Sequence, residues 1–65
     1  MQYQNALEHL TSQIEEQRSV VINSILAGNI SEPEYRRLVG VIQGLDFSKQ
    51  LIKDLAKRLE TDADE

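Results

Sequence analysis

Ala27-Gly28-Asn29-Ile30-Ser31-Glu32-Pro33-Glu34-Tyr35 reads as the end of one helix and the start of another. Gly28 follows the last periodic apolar residues, where a left-handed residue without a Cβ closes a helix at no steric cost. Ser31 stands three residues before Glu34, the spacing of a capping box. In that motif the Ser31 hydroxyl accepts from the Glu34 amide, and the Glu34 carboxylate reaches back to the Ser31 amide. Ile30 and Tyr35 fall at the two positions of a hydrophobic staple. Pro33 lies in the first turn, where a missing N–H is harmless, and Glu32 and Glu34 favour the positive end of the helix dipole. The break is therefore residues 28–31, and so short a connection makes the two helices antiparallel neighbours. One long helix bent at the break is the other arrangement available, and the caps argue against it.

Upstream, the first helix is expected over about residues 3–27. Tyr3, Leu7, Leu10, Ile14, Val21 and Ile25 are spaced 4, 3, 4, 7 and 4, and Arg18 fills the gap. The result is an eleven-residue repeat joining Tyr3, Ile14 and Ile25, close to the period of a straight helix. Val20, Ile22 and Leu26 widen the stripe near the break, whereas Gln13, Glu15, Glu16 and Gln17 leave its front half thin, so fraying is expected near Met1.

Downstream, the second helix is expected over about residues 32–60. Leu38, Ile42, Leu45, Ile52, Leu55 and Leu59 form its main face, joined by Val41 and Ala56. Asp46 with Lys49, and Asp54 with Arg58, are spaced as local ion pairs, and Lys57 and Arg58 suit the negative end of the dipole. Residues 61–65 are acidic and unpatterned, and are expected to form a flexible tail.

The chain has 65 residues, 40% of them hydrophobic and 28% charged, so it holds one small domain with enough apolar material to order. A two-domain enzyme does not fit. The absence of cysteine excludes a disulfide framework and a thiolate metal site. No apolar run reaches the roughly 18 residues of a membrane span, and the N-terminus lacks the plan of a signal peptide, so a soluble, intracellular protein is expected. Seven Lys and Arg against eleven Asp and Glu give a net charge of −4, which disfavours nucleic acid as a partner.

The second helix is apolar over too wide an arc for one partner helix. Beside its main face runs a strip of Gly40, Gly44, Phe47 and Leu51, spaced 4, 3 and 4. An all-α hairpin with such an arc is completed by self-association or by docking on a larger protein. Gly40 and Gly44 each cost a helix about 1 kcal/mol relative to Ala. They form a notch for another chain, or they serve tight packing inside the hairpin, or the cost is simply tolerated. Phe47, with Leu51, is an anchor for a partner or a lid on the hairpin core. Arg36 and Arg37 are rim contacts or are satisfied locally by Glu32 and Glu34. The candidate partner-binding set is thus Arg36, Arg37, Gly40, Val41, Gly44, Phe47 and Leu51.

Chemistry is not legible in this chain. His9, the one histidine, lies beside Glu8 without the Glu-x-x-His spacing of a carboxylate-bridged metal site, and reads as a surface residue. The serines have no other base to activate them, and no phosphate loop or nucleophile elbow occurs, so neither an enzyme nor a bound cofactor is expected. Lys49, Lys53 and Lys57 form a ridge that could meet phosphates, or a solvated face paired with Asp46 and Asp54.

Tyr35-Arg36-Arg37-Leu38-Val39-Gly40, with Ile42, Gly44-Leu45 and Ile52-Lys53-Asp54-Leu55, resembles small helical proteins encoded by tailed bacteriophages, often beside genes for the head, portal or packaging machinery. The likeness covers Tyr35 to Leu59. It implies an assembly or virion-associated role in the cytoplasm of an infected bacterium, with incorporation in the virion as a further option. The expected partners are a second copy of the chain and a phage structural protein such as portal or capsid. The alternative is a small dimeric regulator that binds nucleic acid or a host protein.

Overall fold

A computed structural model describes the backbone of residues 2–64 and the side chains of residues 3–61. Two helices, α1 (Gln2–Leu26) and α2 (Glu32–Asp64), account for nearly all of it. Arg18 of α1 bonds Asp46 of α2, and Glu15, one turn earlier, bonds Lys49, nearly one turn later. Contacts that move backwards along one helix and forwards along the other define an antiparallel hairpin. Met1, where fraying is expected, and Glu65, the end of the expected tail, lie outside the described residues.

The turn follows from its sequence, with one change. Gly28 takes the left-handed conformation (φ 79°), and Asn29 continues it (φ 61°), as a short amide side chain tolerates. The Ala27 amide donates to the Asn23 carbonyl at 3.0 Å and the Gly28 amide to the Ile25 carbonyl at 3.1 Å, which satisfies carbonyls at the end of α1. Ser31 caps α2: its hydroxyl accepts from the Glu34 amide at 3.3 Å. The reciprocal half of the capping box is replaced. The Glu34 carboxylate takes both Nη2 and Nε of Arg37, at 2.7 and 3.2 Å, because a bidentate guanidinium outcompetes one backbone amide.

Burial defines the seam. On α1 the half-buried positions include Leu7, Thr11, Ile14, Arg18, Val21 and Ile25; on α2 they are matched by Leu38, Ile42, Leu45, Lys49, Ile52, Ala56 and Leu59. Both sets step 4, 3, 4, 3, a period of 3.5 rather than the eleven-residue repeat of the sequence reading. The shift sends Leu10 outward and brings in Thr11, whose hydroxyl donates to the Leu7 carbonyl at 2.9 Å and so leaves no unpaired donor. Leu38, 8% exposed, is the one buried side chain among the described residues.

α2 continues four residues past its expected end. No Gly or Pro follows Leu59 to stop it, and the Thr61 hydroxyl bonds back to the Lys57 carbonyl at 3.0 Å. The expected tail is therefore helical through Asp64. Cα dimensions of 53 × 16 × 10 Å describe a slab too thin for two helical layers, whose axes alone stand about 8–10 Å apart. No helix among the described residues is long and apolar enough to cross a membrane.

Candidate interaction surface

α2 presents its remaining apolar side chains away from α1. Phe47 is 65% exposed, Leu51 52%, Leu55 44% and Val41 37%. Counted at 3.5 residues per turn, Phe47 and Gly40 fall on the side of α2 farthest from the seam. Gly44 and Leu51 lie beside them, and Val41, Ser48 and Leu55 lie between these and the seam. Phe47 is therefore no lid on the hairpin core. Leu55, assigned to the main face by the sequence reading, belongs outside with it. The 3.5-residue period is the signal that separates them, since it enters Lys49 and Ala56 in the seam and leaves Leu55 out.

The glycines have no role inside the hairpin. A Cβ built on Gly40 or Gly44 meets nothing within 4 Å, which excludes tight packing against α1 as their reason. Ser48, next along the strip, is half-buried and donates its hydroxyl to the Gly44 carbonyl at 2.9 Å.

The two borders of the seam differ in charge. One carries Glu8, Glu15, Asp46, Lys53 and Glu60, and both interhelical ion pairs close over it. Arg18 Nε reaches Asp46 at 2.8 Å, and Lys49 holds Glu15, whose carboxyl lies below its ordinary value of 4.5, chiefly through the Lys49 hydrogen bond. The other border is Tyr3, Leu10, Gln17 and Ser24 of α1 with Val41, Ser48 and Leu55 of α2; it is uncharged along this length, and Glu34, in the same row at the turn, is held by Arg37. Behind it lie the uncharged Ala6, Gln13 and Val20 on α1, and Gly44 and Leu51 on α2, with Arg37 and Arg58 at the two ends of that α2 row.

The charged candidates are engaged locally. Arg36 Nη2 bonds Glu32 at 2.8 Å, one turn back, and the Arg37 pair with Glu34 lowers the Glu34 carboxyl and raises the guanidinium, both first through their hydrogen bonds. Both arginines remain largely exposed; Arg36 stands to one side of the apolar strip, and Arg37 lies in line with Gly44 and Leu51 at its start. The pairs anticipated between Asp46 and Lys49, and between Asp54 and Arg58, give way to others. Asp46 and Lys49 each find a partner on α1, and Asp54 accepts from Gln50 at 3.1 Å. The lysine ridge thereby commits Lys49 to Glu15, while Lys53 and Lys57 stay exposed. His9 is exposed, and no group of three or more His, Asp or Glu able to hold a metal occurs among the described residues. No protein family, no curated protein and no solved structure matches this chain.

Proposed function

We propose that this chain is a non-enzymatic interaction protein that binds through the outer face of α2. The observation that carries the reading is that Gly40, Val41, Gly44, Phe47 and Leu51 lie together on a helix face that α1 leaves uncovered. Burying such side chains yields about 25 cal/mol per Å², and glycines in open space let a second backbone come close. Arg36 and Arg37 supply polar contacts beside it. The setting, assembly or decoration of a bacteriophage particle, rests on the resemblance of Tyr35 to Leu59. In that setting the partner is a structural protein such as portal or capsid, in the host cytoplasm or in the virion.

Gly44→Leu tests the reading. It fills the notch, while the helix itself gains from losing a glycine. Binding to purified portal or capsid protein, followed by calorimetry, is expected to be lost with helicity by circular dichroism equal or higher. Retained binding would sink the notch. A binding signal for DNA that falls steeply with salt would instead favour a nucleic-acid regulator.

A further inference from the structure

We propose that the face opposite the interhelical ion pairs is the interface between two copies of this chain. They pack face to face about a two-fold axis that crosses the helices, so that α2 lies antiparallel on α2 of the second copy. This rests on the interaction reading above and commits the surface to one occupant. Three observations carry it.

The first is area. A compact monomer of 7.4 kDa exposes about 4,200 Å², whereas this chain exposes 5328 Å². The excess, about 1,100 Å², is more than the roughly 800 Å² per partner of a standard stable interface. The second is charge. Both interhelical ion pairs close one side of the slab. On the other, charge is confined to the ends of the α2 strip, where Glu34 and Arg37 pair with each other and Arg58 stands beyond Leu55. Two copies can therefore meet over its middle without burying an unpaired charge.

The third is shape. Along α2 the strip reads Val41, Gly44, Ser48, Leu51, Leu55. Set antiparallel with the two-fold between Ser48 and Leu51, Gly44 opposes Leu55 of the second copy and Ser48 opposes its Leu51, small against large each time, while Val41 at the rim faces the aliphatic stem of its Arg58. A parallel setting opposes Gly44 to Gly44 and Leu55 to Leu55, a void and a crowd. Space at Gly44 is open, and the Ser48 hydroxyl already has its acceptor within its own helix, so burying it orphans no donor. The contact is isologous and closes on itself at two copies.

Light scattering after size exclusion of the full chain is expected to give twice 7.4 kDa. A monomer from micromolar to millimolar concentration overturns the proposal, while binding to a larger partner would survive. Gln17→Glu and Leu51→Glu each place a charge on the face and are expected to weaken dimerisation about tenfold or more. Leu26→Glu, beyond the charged border, is expected to leave the mass unchanged. A dimer indifferent to both face variants means another surface is used, and overturns the assignment.

Because the chain has no cysteine, Gly44→Cys with Leu55→Cys in one chain reports the register. The two sites stand about 16 Å apart on one helix, beyond the reach of an internal disulfide. Oxidation is expected to yield covalent dimers joined 44 to 55 by peptide mapping. Links of 44 to 44 or 55 to 55, or no covalent dimer, overturn the antiparallel register.

Discussion

Arg18 occupies a place that the spacing of α1 reserves for an apolar side chain, and the seam tolerates it because Asp46 on α2 meets its guanidinium at 2.8 Å. Lys49 is the mirror case on α2, answered by Glu15. Both pairs stay partly open to water, so they fix which residues face each other more than they stabilise the hairpin. Apolar burial is concentrated elsewhere, at Leu38 near the turn. Leu38→Ala is expected to cost about 2–3 kcal/mol, the largest loss of any single leucine. Leu26→Ala, at a highly exposed position, is expected to stay within about 0.5 kcal/mol. Urea unfolding followed by circular dichroism measures both, and equal losses would mean that the seam is not where the hairpin is held.

α1 and α2 depend on carboxylates at different points. Glu34 steadies the first turn of α2 through Arg37, and Glu15 ties α1 to α2 through Lys49. Both carboxyls are lowered in the folded chain from the ordinary 4.5. A lowered carboxyl contributes its full stability above its unfolded value, and that contribution is lost as pH falls through the folded one. Acid below about pH 4.5 is therefore expected to weaken the contact between the helices and the start of α2. Glu15→Gln removes the first contribution, so its unfolding midpoint should show a smaller drop between neutral pH and acid than the parent chain. An identical drop would show that the Glu15–Lys49 pair contributes nothing in solution.

The whole molecule is a slab with one buried leucine and a Cα radius of gyration of 15.4 Å, against about 11 Å for a compact domain of this length. Two helices in one layer shield little of each other, and a chain without cysteine has no disulfide to make up the difference. Stability then depends on what covers the open face. With a second copy there, folding and association are linked, and each tenfold rise in chain concentration adds about 1.4 kcal/mol to the dimer. The thermal midpoint is expected to rise with concentration. A midpoint constant over a hundredfold range would mean the hairpin is held by its own seam alone.

Residues 27–35 by themselves determined the two helices, the place of the turn and the antiparallel return. Each of those depends on local chemistry: a glycine free to take positive φ, a serine within reach of the amide three residues on, a proline where no N–H is needed. The width of the apolar arc on α2 was legible for the same reason, since periodicity is a property of one helix. Which part of the arc faces α1 was legible in outline, at Leu38, Ile42, Leu45, Ile52, Ala56 and Leu59, but not at its edges, where Val41 and Leu55 were counted in and Lys49 was not. That depends on the twist of two helices about each other, which turns the repeat to 3.5 residues, draws Thr11 and Lys49 into the seam and turns Leu10 and Leu55 out. Ion pairing shows the same division. Asp46 and Lys49 have a suitable neighbour one turn away in sequence, but the folded pair offers each a partner across the seam. Only the tertiary structure brings α1 and α2 side by side, and so only it separates the border over which the interhelical ion pairs close from the one they leave open.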